Sequence, residues 1–160
     1  MKLKLSLLML VVAGVLFAFA PGADPNEITI RKFYQLLNAD HASKAESISK
    51  GIFAKDWKSY GNNEEFRPGG GPAFLKFTSE VFQSVPDLTW TIKEIIKSGN
   101  QYTVRSEASG TPKGTFLGIP AKGKKFKIMA IDIHTIVNGK IIKSYHLEDW
   151  SSAAQQLSAP

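Results

Sequence analysis

The apolar residues of this chain change their period once, at Pro86, and that switch constrains the fold more than any other feature of the sequence. Before it, Ile28, Phe33, Leu36 and Leu37 recur near helical spacing over Asn26–Leu37. A second helical stretch, Ala42–Ile48, follows Asp40 as a plausible N-cap. A short strand or extended arm, Ile52–Tyr60, and a Gly/Asn/Pro-rich loop, Gly61–Pro72, lead to a third amphipathic helix over Ala73–Val85. After Pro86 the pattern is strand-like. It predicts strands at Leu88–Lys97, Gln101–Gly110, Lys124–Val137 and Lys140–Glu148, with turns at Gly99-Asn100 and Asn138-Gly139. A long loop, TPKGTFLGIPAKG, joins the middle pair, and Asp149 is placed to cap a last helix over Trp150–Leu157. Helices first and a strand meander last define an α+β fold, with helices covering one face of a curved antiparallel sheet.

The first 23 residues stand apart. Lys2 and Lys4 precede an uncharged apolar run from Leu5 to Phe19, then Ala18-Phe19-Ala20 and a Pro/Gly break, the layout of a secretory signal peptide. The run is short for a membrane span. The expectation is therefore export to a periplasmic or extracellular compartment by a cleaved signal peptide (1–23), ahead of one domain over 24–160, with an uncleaved anchor as the alternative. Without Lys2 and Lys4 the formal charge falls from +6 to +4. There is no cysteine, so the domain rests on an ordinary core rather than on disulfides. Lys122, Lys124, Lys125 and Lys127 form one dense basic cluster. It is read as a solvated loop or strand edge, and no nucleic-acid partner is expected. Gly69-Gly70-Gly71 lacks a following Lys-Ser/Thr and is read as a connection, not a phosphate cradle. His41, His134 and His146 have no helical pair spacing. Asp132-x-His134 and His146-x-Glu148 keep a metal reading open, but no metal is assigned.

The segment SYHLEDW (144–150) carries the densest chemistry, and the register of the last hairpin decides which of its side chains share a face. A two-residue turn at Asn138-Gly139 sets Asp132 opposite Tyr145 and His146 on the other face. A three-residue loop closed by Gly139 as a bulge sets Asp132 opposite Ser144, with His146 diagonal to it. The second register sorts Met129, Ile131, Ile133, Ile141, Tyr145 and Leu147 onto one face, and Ala130, Asp132, His134, Ser144, His146 and Glu148 onto the other. Because a one-residue slip exchanges whole faces, the register that sorts them is preferred. The polar set then either lines a pocket or meets water.

PDLTWTIKEIIKSGNQYTVR, GTPKGTFLGIPAKGKKFKI, IDIHTIVNGKIIKSYHLEDW and the tail AAQQL, with AFLKFTSEVFQSVPDL ahead of them, resemble the SnoaL-like polyketide cyclase or ester cyclase family of the NTF2-like superfamily. The resemblance covers most of residues 24–160. It implies an NTF2-like (cystatin-like) cone in which N-terminal helices close over the concave side of a strongly curved sheet and leave a mostly apolar pocket. It also implies an acid/base reaction without cofactor or metal, run by an aspartate on the final strand and assisted by a histidine on its neighbour. Alignment on GKIIKSYHLEDW puts His146 at the aspartate position and Asp132 at the histidine position, so the residue types are exchanged.

His146 and Asp132 are thus the catalytic candidates. A carboxylate beside an imidazole orients the ring and favours its cation, and an apolar pocket perturbs both groups. Arg105 is a candidate enolate or carboxylate partner, Tyr34, Trp57 and Phe116 are candidate wall residues, and His134, Ser144 and Glu148 complete the substrate-binding set. Two functions remain open. One is a cofactor-independent enzyme of cyclase, isomerase or lyase type, removing a proton next to a carbonyl of a small apolar molecule. The other is a non-catalytic binding module using the same pocket. The apolar back of the sheet predicts a partner surface, most simply a homodimer packed sheet to sheet.

Overall fold

The computed structural model describes residues 24–61, 63–65 and 69–160, and the expected signal peptide, 1–23, lies outside the described residues. Helix α1 (Pro25–Leu36) starts where Asp24 accepts a hydrogen bond from the Asn26 amide at 3.0 Å, with Pro25 in the first turn, where its missing N–H costs nothing. Its inward stripe is Thr29, Ile30, Phe33, Tyr34 and Leu36. The second helical stretch differs from expectation. A 3-10 turn over Ala39–Lys44 comes first and α2 is Ala45–Ile52. Asp40 caps neither, because its carboxylate meets the neighbouring His41 ring at 2.7 Å.

Strand β1 (Phe53–Gly61) follows without a break, and its end pairs with β2 (Glu64–Glu65) inside the stretch expected to be loop. Helix α3 (Gly70–Ser84) starts three residues earlier than its apolar pattern suggests. The four long strands then run β3 (Thr89–Ser98), β4 (Gln101–Gly110), β7 (Phe126–Val137) and β8 (Lys140–Glu148), before α4 (Trp150–Ser158). Asp149 caps α4, accepting from the Ser152 amide. The long loop between β4 and β7 contains a small hairpin of its own, β5 (Thr115–Phe116) and β6 (Ile119–Pro120).

The main sheet has the order β2-β1-β8-β7-β4-β3. Its long neighbours are antiparallel except β1, which lies parallel to β8. The helices cover one face, as an α+β cone requires, and Asn38 fastens the end of α1 to the sheet by accepting from the Trp90 amide at 2.6 Å. Between helices and sheet lie Ile30, Leu36, Tyr102, Val104, Phe126, Ile136 and Ile141, each at most 1 % exposed. Each such side chain contributes about 1.5–3 kcal/mol by leaving water. No helix among the described residues is long and apolar enough to cross a membrane.

The last hairpin corrects the expected register. Its turn is the two-residue Asn138-Gly139, with φ of 50° and 71°, and Val137 pairs with Lys140. These angles are those of a type I′ turn, which Asn-Gly favours. The extra residue sits further along: Thr135 pairs with Lys143 but Ile136 with Ile141, so Ile142 is the bulge. Beyond it Asp132 lies directly opposite His146, rather than diagonal to it. The physical reason is parity. Ile141 and Ser144 are both buried, and an unbroken strand cannot turn residues three apart to one face. Ile141, expected on the outer face, is therefore in the core, while the remaining assignments of residues 129–134 and 144–148 to two faces stand.

Candidate active site

The concave face of β7 and β8, the inner stripe of α1, helix α3 and the β5–β6 hairpin enclose a cavity of about 420 Å³. Its wall is largely aromatic: Phe33, Phe74, Phe77, Phe82, Trp90, Phe116 and Trp150 contribute to it. Asp132, Ser144, His146 and Glu148 line it from the sheet. Helix α3 supplies much of the apolar side. Of its 15 residues only Thr78 is buried; Phe74, Phe77, Val81 and Phe82 line the cavity, and Phe74 also stacks on Phe33 with ring centroids 5.5 Å apart.

Four polar groups form a row at the floor. Tyr34 donates its hydroxyl hydrogen to Asp132 Oδ2. Across the strand pair, His146 Nδ1 and Glu148 Oε1 are 2.9 Å apart, two residues along β8 and on the same face. Asp132 is 4 % exposed. Burial pushes its carboxyl up to about 7; the Tyr34 hydrogen bond works against that, the Glu148 charge adds to it and the His146 charge opposes it. For His146, burial disfavours the imidazolium, but the Glu148 hydrogen bond and the charges of Glu148 and Asp132 outweigh it, and the net shift is upward. Burial, the nearby carboxylates and the bond to Asp132 drive the Tyr34 hydroxyl far above its ordinary value, so it remains a donor. The site thus holds a carboxyl that exchanges its proton near neutrality beside an imidazole biased towards its cation. Such a pair can remove a proton from a carbon acid and neutralise the oxygen that gains charge.

Beneath this floor lies a second polar chain. Trp57 Nε1 donates to Ser144 Oγ at 3.1 Å, and that oxygen is 2.8 Å from His134 Nδ1. His134 is fully buried, with the Phe33 ring centroid 4.7 Å from its own. Burial, with a smaller contribution from His146, lowers its pKa to about 3, which fixes a neutral imidazole at neutrality. His134 and Trp57 therefore support Ser144 from below and do not line the cavity.

Of the residues singled out from sequence, Asp132, His146, Glu148, Ser144 and Phe116 meet at the cavity, and Tyr34 reaches it through Asp132. Tyr34 serves there as a hydrogen-bond donor rather than as an apolar wall. Arg105 is not at the site. Strand alternation turns Val104 and Ser106 inward and Arg105 to the convex face, where its Nε lies 3.2 Å from Glu94 Oε2. The residue orienting His146 is Glu148, not Asp132. The cavity wall also includes Phe74, Phe77 and Phe82 of α3 and Trp90 of β3, none of which the sequence singled out as a site residue. Among the described residues, no group of three or more His, Cys, Asp or Glu side chains is arranged to hold a metal ion.

A strongly curved sheet covered by helices on one face, with an apolar cavity between them, defines an NTF2-like fold. The profile of the SnoaL-like polyketide cyclases matches residues 29–157, and the chain belongs to that family. Solved structures carry the same fold. IdmH from Streptomyces antibioticus is 20% identical over 84% of this chain and 99% of its own, with a TM-score of 0.72. A SnoaL-like polyketide cyclase from Agrobacterium tumefaciens is 16% identical over 83% and 98% of the two chains, with a TM-score of 0.65. A phenazine biosynthesis-related protein from Pseudomonas aeruginosa is 16% identical over 85% and 86%, also with a TM-score of 0.65. No curated protein sequence matches the chain.

Proposed function

We propose that the protein is a cofactor-independent acid/base enzyme of cyclase or isomerase type, acting on a carbon next to a carbonyl of a small, largely apolar molecule. The observation that carries this reading is the buried Asp132 carboxyl, held at one oxygen by Tyr34 and facing the His146–Glu148 pair across an aromatic cavity. Asp132, as carboxylate, takes the proton from the α-carbon. The C–H electron pair moves into the carbonyl to give an enolate, and the His146 imidazolium neutralises the enolate oxygen by hydrogen bonding or proton transfer. Glu148 orients His146 and favours its cation. The enolate then either takes the proton back from Asp132 at another carbon, an isomerisation, or attacks a second carbonyl of the same molecule, forming a C–C bond and a ring while that carbonyl's π pair moves to its oxygen, which takes the proton from Asp132.

β-Tetralone, a bicyclic ketone with acidic α-hydrogens, is a suitable probe. The wild type is expected to speed exchange of those hydrogens for deuterium, followed by NMR, and D132N and H146Q are expected to lose about 10²-fold or more. Binding seen by thermal shift without accelerated exchange would instead make the protein a binding module. The proposal includes a homodimer through the convex face, supported by the exposed apolar side chains of Met129, Ile131, Ile133, Tyr145 and Leu147.

A further inference from the structure

The β5–β6 hairpin combines features that the proton-transfer site does not use. Its turn is Leu117-Gly118, with φ of 52° and 75°, the same left-handed pair that Asn138-Gly139 adopts. Asn is at home in that conformation and leucine is not, because its Cβ crowds the backbone. The strained leucine is also 46% exposed, so no buried packing accounts for it. It stands at the lip of the cavity, which both Phe116 and Leu117 line.

The other side of the hairpin is basic. Residues 108–131 contain five lysines and no aspartate or glutamate. Lys127 pairs with Glu107 at 3.3 Å, and Lys124 is bonded to the Ala159 carbonyl oxygen. Lys113 and Lys122 are exposed and have no carboxylate partner within ion-pair distance among the described residues. Both line a shallow recess at the base of the hairpin, with Thr115 and Pro120. The one carboxylate there, Asp87, is engaged by the Thr111 amide at 2.6 Å. A strained apolar tip, two unpaired lysines four and five residues from it along the two arms of the hairpin and an apolar cavity opening beside it form one surface.

We propose that this surface docks the cavity mouth onto an anionic lipid bilayer, with Leu117 entering the interfacial region and Lys113 and Lys122 meeting headgroup phosphates. Charge selects the partner: the patch is cationic, and apolar insertion beside cationic contacts is the arrangement that binds acidic membrane surfaces. A nucleic acid would engage the lysines but gain nothing from Leu117. The docked orientation places the mouth of an apolar cavity against the phase in which apolar molecules accumulate. The proposal does not depend on catalysis by Asp132, and it concerns a different surface from the convex face.

Co-sedimentation of the purified protein with vesicles tests it. Vesicles of equimolar phosphatidylcholine and phosphatidylglycerol are expected to bind the wild type at low salt and release it at high salt, and phosphatidylcholine alone is expected to bind it weakly. Each lysine near the surface is worth roughly fivefold in partition, so K113Q/K122Q is expected to bind about 25-fold less. L117N restores the favoured Asn-Gly turn and is expected to fold at least as stably as the wild type, with unchanged circular dichroism, while binding about tenfold less. Equal binding to neutral and anionic vesicles overturns the proposal, as does no binding to either. Binding that L117N leaves intact overturns it too, because it would reduce the patch to a general attraction for polyanions.

Discussion

Asp132 and His146 have different hydrogen-bond partners, Tyr34 and Glu148, although the Glu148 charge acts on both, and the different partners make their roles separable. Tyr34 stabilises the Asp132 carboxylate, so Y34F is expected to raise the Asp132 pKa further above its ordinary value. Glu148 favours the His146 imidazolium by hydrogen bond and by charge, so E148Q leaves only the Asp132 charge to oppose burial and is expected to lower the His146 pKa. Catalysis as proposed needs Asp132 ionised and His146 protonated, which gives a bell-shaped profile of kcat/KM for β-tetralone exchange. Y34F should move the acidic limb to higher pH, and E148Q the alkaline limb to lower pH, with about a tenfold loss at the wild-type optimum in each case. Limbs that stay in place would remove both residues from the proton-transfer machinery. The sequence made Asp132 and His146 visible because they are chemically distinctive. It hid the Tyr34 partnership, since a helix residue and a strand residue 98 positions apart meet only through tertiary packing.

At the scale of elements, strand alternation was legible and the register was not. Which residues of β7 flank Asp132 on each face followed from a period of two. The position of the bulge did not, because moving the extra residue from Gly139 to Ile142 leaves residues 144–148 on the same faces and changes only Ile141 and the pairing partners. Helix α3 shows the complementary ambiguity: a stripe of phenylalanines reads alike whether it meets packed side chains or a cavity. The short pairs β1–β2 and β5–β6 carry too few residues to display any period. Alternation also leaves Met129, Ile131 and Ile133 on the convex face at 37–52% exposure. A twofold interface there would meet itself, with the Arg105–Glu94 and Lys93–Glu107 pairs at its margin. Sedimentation velocity at micromolar concentration is expected to show a dimer for the wild type. I131D, which would bury a charge at the centre, is expected to weaken association by about 30-fold or more. A wild-type monomer under these conditions refutes the dimer.

For the whole molecule, two buried ionisable groups of the sheet, Asp132 and His134, couple stability to pH in opposite senses. Asp132 holds its proton more tightly folded than unfolded, with a pKa of about 7 against 3.8. Its contribution to stability is complete below about pH 4 and is lost as pH rises towards 7. His134 holds its proton less tightly folded, with a pKa of about 3 against 6.5. Its contribution is complete above pH 6.5 and is lost as pH falls towards 3. Each displacement of about three units corresponds to roughly 4 kcal/mol, so between pH 4 and 6.5 the two slopes nearly cancel. His146, with its raised pKa, adds a loss only above about pH 6.5, and Asp24, held at about 2 by Lys97 and Tyr102, acts below pH 4. The wild type is therefore expected to show a nearly flat Tm across this window. D132N removes the falling slope, and its Tm should climb by roughly 5–10 °C from pH 4 to 6.5. H134N removes the rising slope, and its Tm should fall over the same interval. Differential scanning calorimetry of the three proteins decides the matter. Parallel curves would mean that neither group is buried in the folded protein as the sheet places it, and opposite slopes would tie stability to the same burial that tunes Asp132 for proton transfer.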